Sequence, residues 1–188
     1  MRLTLFLLCG IATTASAAPD TVISPLIGSL ESGVICPPPS VGDTPAPGTV
    51  AGVTHLVDED PPFVSMSNRV PAVMGIGFGV KSMTDDLLGL SEVTMTVSHP
   101  PMGKDGATQQ SFLTRIDGGT PSLTFYQFDY AYELVKGTWQ LEATKDGMVL
   151  YRTSFQVVAP KDAPELAHVC GFEELLSQTT PLIPAGSG

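Results

Sequence analysis

The stretch 123–158, LTFYQFDYAYELVKGTWQLEATKDGMVLYRTSFQVV, alternates apolar and polar residues in three runs broken by two turn signals. A repeat of two puts every second side chain on the same side of an extended chain, so each run reads as a strand with one buried face. Tyr126, Phe128, Tyr130, Tyr132 and Leu134 share the first apolar face, opposite Gln127, Asp129 and Glu133. Val135-Lys136-Gly137 turns the chain, and Trp139, Leu141 and Ala143 follow. Asp146-Gly147 is a strong hairpin signal, because a tight turn wants positive φ. Val149, Tyr151, Phe155 and Val157 make the third face. The tract predicts two consecutive antiparallel hairpins, with the only tryptophan and the tyrosines as core.

Upstream, VPAVMGIGFGVK at 70–81 predicts another strand. Ala72, Met74, Ile76, Phe78 and Val80 fall on one face, and Gly75, Gly77 and Gly79 leave the other bare. Glycine weakens a strand, so an aromatic ring or another backbone is expected there, or a bend in the strand. The bare face is also a candidate partner surface, reached by addition of a strand from another chain. Glu92 to Ser98 gives a further strand, which His99-Pro100-Pro101 is expected to stop. Residues 108–116 give another, with Phe112, Thr114 and Ile116 inward.

Even spacing of strands and turns reads as an all-β, immunoglobulin-like antiparallel β-sandwich. Parallel α/β folds are disfavoured because no amphipathic helix separates the strands. The organisation expected is a leader at 1–17, an N-terminal arm and proline-rich linker at 18–48, and the sandwich at 49–159. A C-terminal segment at 160–178 carries a short helix over 171–177, and 179–188 is a flexible tail. Within the arm a strand over 30–35 is allowed, and 49–57 is the first strand of the sandwich.

The leader reading rests on Arg2, the apolar run after it and the small residues of Ala15-Ser16-Ala17, which predict cleavage before Ala18 and a periplasmic or secreted address. Of the 9 basic and 19 acidic residues, the leader would remove only Arg2, leaving a strongly negative chain. That charge disfavours nucleic acid and anionic membrane surfaces as partners, and no stretch is long and apolar enough for a membrane helix. Cleavage would also remove Cys9, leaving Cys36 and Cys170, which in an exported protein are expected to pair.

A set of motifs in the same region resembles a known family. They are Gly75-Ile76-Gly77-Phe78-Gly79-Val80, Val97-Ser98-His99-Pro100-Pro101, Tyr132-Glu133-Leu134, Gly137-Thr138-Trp139 and Phe155-Gln156-Val157-Val158. Over about residues 70–158 the chain resembles an uncharacterised bacterial domain of unknown function found in exported proteins. The resemblance implies a small β-sandwich. It transfers no catalytic residue, and Cys36 and Cys170 lie outside it.

Chemistry is sparsely signalled. The sequence has no G-x-S-x-G nucleophile turn and no H-E-x-x-H or H-x-H pair for a metal. His55, His99 and His168 are the possible imidazole bases. His99, near Ser98 and Asp105, is the best placed for a hydrolase, which ranks last among the functional readings. Asp58, Glu59, Asp60, Asp85, Asp86 and Asp117 are the candidates for calcium, without the spacing of a calcium loop. Tyr126, Tyr130, Tyr132 and Trp139 are the pool for sugar stacking, though their alternation assigns them to the core. Phe125 points the other way and needs cover from an opposing side chain, the glycine face or a partner. The leading expectation is therefore a non-enzymatic exported binding or structural domain with no cofactor and an unidentified protein partner. A calcium- or carbohydrate-binding module is the alternative.

Overall fold

The computed structural model describes residues 21–38 and 40–176. The expected leader at 1–17 and tail at 179–188 lie outside the described residues. Eleven strands form among those described: β1 (Thr21–Ile23), β2 (Ile27–Ile35), β3 (Ser40–Pro45), β4 (Val53–Val57), β5 (Arg69–Pro71), β6 (Gly77–Thr84), β7 (Leu90–Met102), β8 (Ala107–Ile116), β9 (Ser122–Gln127), β10 (Gly137–Lys145) and β11 (Met148–Val158). One sheet has the order β1-β11-β10-β7-β8, with β5 added parallel to the far half of β11. A second sheet has the order β2-β6-β9, and β3 and β4 form a separate hairpin.

The two larger sheets meet as an antiparallel sandwich, because their alternating apolar faces have only each other to exclude water. From β6 come Phe78 and Val80; from β7, Val93, Met95 and Val97; from β10, Trp139, Leu141 and Ala143; from β11, Tyr151, Phe155 and Val157. All are buried. Phe78 sits at the middle. Its ring lies 4.9 Å from Phe155, 5.6 Å from Phe128 and 5.7 Å from Trp139, tying both sheets to one aromatic cluster. Tilted and edge-on ring pairs of this kind add about 0.5–1.5 kcal/mol each beyond their buried area.

Several expectations are corrected. The tract 123–158 contains one hairpin, not two: β10 and β11 pair across Asp146-Gly147, with Asp146 at φ 51° and Gly147 at 78°. β9 instead pairs with β6 in the other sheet. The chain crosses between sheets through a 3-10 turn at Ala131–Glu133, so Tyr130 and Tyr132 leave the apolar face and are exposed. Their alternation persists in sequence, but a turn does not preserve a period of two.

The strand expected over 70–81 is also broken. Gly75 has φ +83° in a turn closed by Ile76 N donating to Val73 O, Met74 is exposed, and β6 starts only at Gly77. His99-Pro100-Pro101 does not end β7, which runs on to Met102. Pairing with β10 stops at Ser98, so on that side the prolines lack no ladder partner. The supposed arm supplies β1, paired with β11, and all of β2, paired with β6. Residues 40–48, composed like a linker, supply β3. Every residue of β3 is exposed, so no buried face imposes alternation on it.

At the C-terminal end, the helix expected over 171–177 lies earlier, as the single-turn α1 at Ala167–Cys170. Gly171, at φ +75°, ends it, and Glu173–Leu176 form a 3-10 turn, with Ser177 outside the described residues. Cys36, just after β2, is bonded to Cys170 of α1, with Cα atoms 5.1 Å apart.

Candidate functional site

β8 ends one sheet and β9 ends the other, and the β3–β4 hairpin lies across both. At the hairpin tip, Ser111 N on β8 donates to Gly48 O at 2.9 Å, and Val50 N donates to Gln110 Oε1 at 2.7 Å. Between hairpin, β8 and β9 lies a cleft of about 290 Å³. Val53, Leu56, Phe112, Leu123 and Phe125 give it apolar walls, while Gln110, Gln127, Asp129 and Glu133 add polar groups.

Those polar groups are wired together. Glu133 is almost fully buried, yet its carboxylate is saturated: the Tyr126 hydroxyl donates to Oε1 at 2.6 Å, and the backbone N–H groups of Asp129 and Tyr130 donate to Oε2 at 2.7 and 2.9 Å. Burial outweighs these bonds and raises the Glu133 pKa above its ordinary value. Burial, together with the charge of Glu133, raises that of Tyr126. Gln110 Nε2 reaches both His99 Nε2, at 3.2 Å, and the Tyr126 hydroxyl, at 3.4 Å. One amide thus joins the hairpin backbone to a chain of donors ending on Glu133.

His99 is buried within β7 instead of lying beyond its end. Its Nδ1 lies 2.9 Å from Pro100 O, and its ring packs 4.7 Å from that of Trp139. A carbonyl at Nδ1 and an amide N–H at Nε2 match the neutral Nδ1–H tautomer, and burial lowers the pKa accordingly. Trp139 Nε1 donates to Val135 O at 2.9 Å, satisfying the one polar atom of the largest core residue.

His55 closes the cleft on the hairpin side. Its Nδ1 lies 2.6 Å from Asp43 Oδ1 on β3, directly opposite in the strand register, and its Nε2 lies 2.7 Å from Asp129 Oδ2. Asp129 also accepts from Gln127 Nε2 at 2.8 Å. Burial opposes the charge on His55, but the hydrogen bonds and charges of Asp43 and Asp129 win, and its pKa is raised.

The other candidates are dispersed. Gly77 and Gly79 are covered by their own sheet: a Cβ on Gly79 would meet Thr124 O at 2.3 Å and Phe125 Cβ at 2.5 Å. β6 lies between β2 and β9, so neither of its edges is open to an added strand, and Gly75 faces Pro37. Phe125 therefore finds the glycine face that its orientation demanded. Asp58, Glu59 and Asp60 line a separate hollow with Pro37, Pro38 and the Cys36 end of β2. Asp117 pairs with Arg115, and the exposed His168 with Glu173. Among the described residues no three His, Cys, Asp or Glu side chains gather as a metal site.

Sequence reasoning missed Asp43, Gln110, Asp129 and Glu133 as a set. Gln110 did carry a signal, since it shares the inward parity of Phe112, Thr114 and Ile116. Asp43 sits on a wholly exposed strand, and Asp129 and Glu133 lie in a crossing whose turn does not keep a period of two.

In structure, the chain is similar to an immunoglobulin-like protein from Pseudomonas aeruginosa, at 20% identity, over 76% of this chain and 100% of that one, with a TM-score of 0.49. No curated protein matches it. Residues 24–157, more than half of the chain, match the model of a domain of unknown function, DUF3859, and the chain belongs to that family.

Proposed function

We propose that the protein is an exported, non-enzymatic binding module whose ligand occupies the cleft between β8, β9 and the β3–β4 hairpin. The observation that carries this reading is the cleft itself, with apolar walls and polar groups already held in place by one another. Ligand sites in folded proteins have this make-up: mostly apolar lining, with a few polar groups fixed in orientation. Export is supported by the leader-like N-terminus and by the Cys36–Cys170 disulfide. The non-enzymatic reading is supported by the imidazoles. Both ring nitrogens of His55 and both of His99 are engaged by protein groups, so neither offers a free lone pair to act as a base.

Native mass spectrometry of the protein purified from the exported fraction tests this, with thermal melts against panels of peptides, amphiphiles and sugars. A retained or stabilising ligand is expected, its binding lost in Thr54→Trp, which fills the cleft from β4. No ligand, or one that binds Thr54→Trp equally well, overturns the reading. The same mass measurement gives the N-terminus, expected at Ala18.

A carbohydrate-binding reading has one observation in its favour. Tyr130 and Tyr132 are exposed and lie parallel, with centroids 5.3 Å apart and 7° between planes, forming a small aromatic platform. A glycan array probed with wild type and Tyr130→Ala separates it from the cleft reading.

A further inference from the structure

We infer that the Asp43–His55–Asp129 bridge is a protonation-dependent latch, holding the β3–β4 hairpin down over the cleft and releasing it when His55 loses its proton. His55 meets a carboxylate oxygen at both ring nitrogens, at 2.6 and 2.7 Å. A carboxylate only accepts, so both contacts need N–H groups, and only the imidazolium has two. A neutral ring must aim a lone pair at one of the two carboxylates.

The two carboxylates belong to different bodies. Asp43 and His55 are cross-strand neighbours on the hairpin, whereas Asp129 follows β9. With His55 charged, the hairpin presents a cation to Asp129. With His55 neutral, it presents the Asp43 carboxylate to Asp129 and, behind it, to Glu133. Whichever hydrogen bond the neutral ring keeps, the joint loses its cation and one of the two carboxylates faces a ring lone pair, so the attraction across it weakens.

The groups facing the joint are Asp43 from β3, Tyr126 from β9, and Asp129, Tyr132 and Glu133 from the crossing. The lining residues of β8 contribute no titratable side chain. The hairpin pairs with neither sheet, and among the described residues its other polar anchors are the two tip contacts, Gly48 with Ser111 and Val50 with Gln110. Neither involves His55, and they form the pivot about which the hairpin opens. The raised pKa of His55 agrees with a bridge formed below about pH 6.5 and lost as the pH rises through the higher folded value.

Control of ligand entry rests on the cleft reading; motion of the hairpin does not. The experiment therefore follows the hairpin alone, by amide hydrogen exchange and imidazole shifts in the disulfide-bonded chain from about pH 5 to about pH 9. After correction for intrinsic exchange, protection of the β4 amides should fall about tenfold as His55 titrates, while β10–β11 amides stay protected. In His55→Gln and in Asp129→Asn, which keep side-chain hydrogen bonding but remove one charge, that step should vanish or move to lower pH. The latch is overturned if β4 and β10 keep the same protection throughout, or if both variants retain the wild-type step. A ligand that binds without pH dependence while the step persists refutes gating of entry but not the latch. A step without any ligand leaves the latch standing and removes the binding reading.

Discussion

The Tyr126 hydroxyl donates to the Glu133 carboxylate at 2.6 Å, joining β9 to the turn that carries the chain from one sheet to the other. Because the carboxylate also accepts two backbone N–H groups, the crossing is shaped around it. Glu133→Gln removes one of the two acceptor oxygens, so either the Tyr126 hydroxyl or the two backbone N–H groups lose the acceptor they now have. It should destabilise the fold by about 1–3 kcal/mol in urea melts. The pKa of Glu133 is raised, so the folded state holds this proton more tightly than the unfolded chain does. Its contribution is complete below about pH 4.5 and declines as the pH rises toward the folded value. The variant should lack that decline, and an unchanged profile would contradict the assignment.

His99 predicts the opposite slope. Its pKa is lowered, so the neutral ring is the one the fold accommodates. That stability is present above about pH 6.5 and is lost as the pH falls through the folded value. Melts of wild type and His99→Gln at a series of pH values should differ in slope across this window. His99 should also titrate below the ordinary histidine value by NMR.

Gly79 and Gly77 should not respond alike to alanine. At Gly79 the added methyl meets a carbonyl at 2.3 Å and the Phe125 Cβ at 2.5 Å, neither of which can move without shifting β9. At Gly77 its nearest neighbour is Tyr126 O, at 3.2 Å. Gly79→Ala should therefore lose about 1–3 kcal/mol, and Gly77→Ala less than about 1 kcal/mol. Equal losses would mean that the strand relaxes in a way its pairing on both sides does not allow.

Reduction of Cys36–Cys170 should lower the unfolding free energy by at most about 4–5 kcal/mol, the chain-entropy figure for a closed loop of this length. Melts with and without reductant, compared with a Cys36→Ser/Cys170→Ser double variant, give the value. A double variant as stable as the oxidised wild type would show that the bridge restrains nothing.

What the sequence disclosed depended on whether a segment's partners were local. The β10–β11 hairpin was legible because its turn, Asp146-Gly147, and both alternating faces lie within one short stretch. The pairing of β9 was not, since Leu123 to Gln127 read the same whether they pair with β10 or with β6 more than forty positions upstream. Tyr130 and Tyr132 kept the parity of buried residues while a turn carried them outside. β3 was hidden for the converse reason: a wholly exposed strand has no apolar side to announce it. The cleft required Asp43, Gln110, and the Asp129 and Glu133 of one crossing, brought together from three separate segments, and only Gln110 broke an apolar pattern visibly.

The covalent tie between the end of β2 and α1 has a mechanical meaning. Tension applied across Thr21 and Leu176 can lengthen only the chain outside the bridge, which includes β1 and β2. The sequence separation of 134 between the cysteines stays out of the load path. At about 3.4 Å per residue, that withholds roughly 450 Å of contour. Under load the oxidised molecule would surrender β1 and β2 and then stop as a short tether with its hairpin and aromatic cluster unstretched. The reduced one would pay out to its full length.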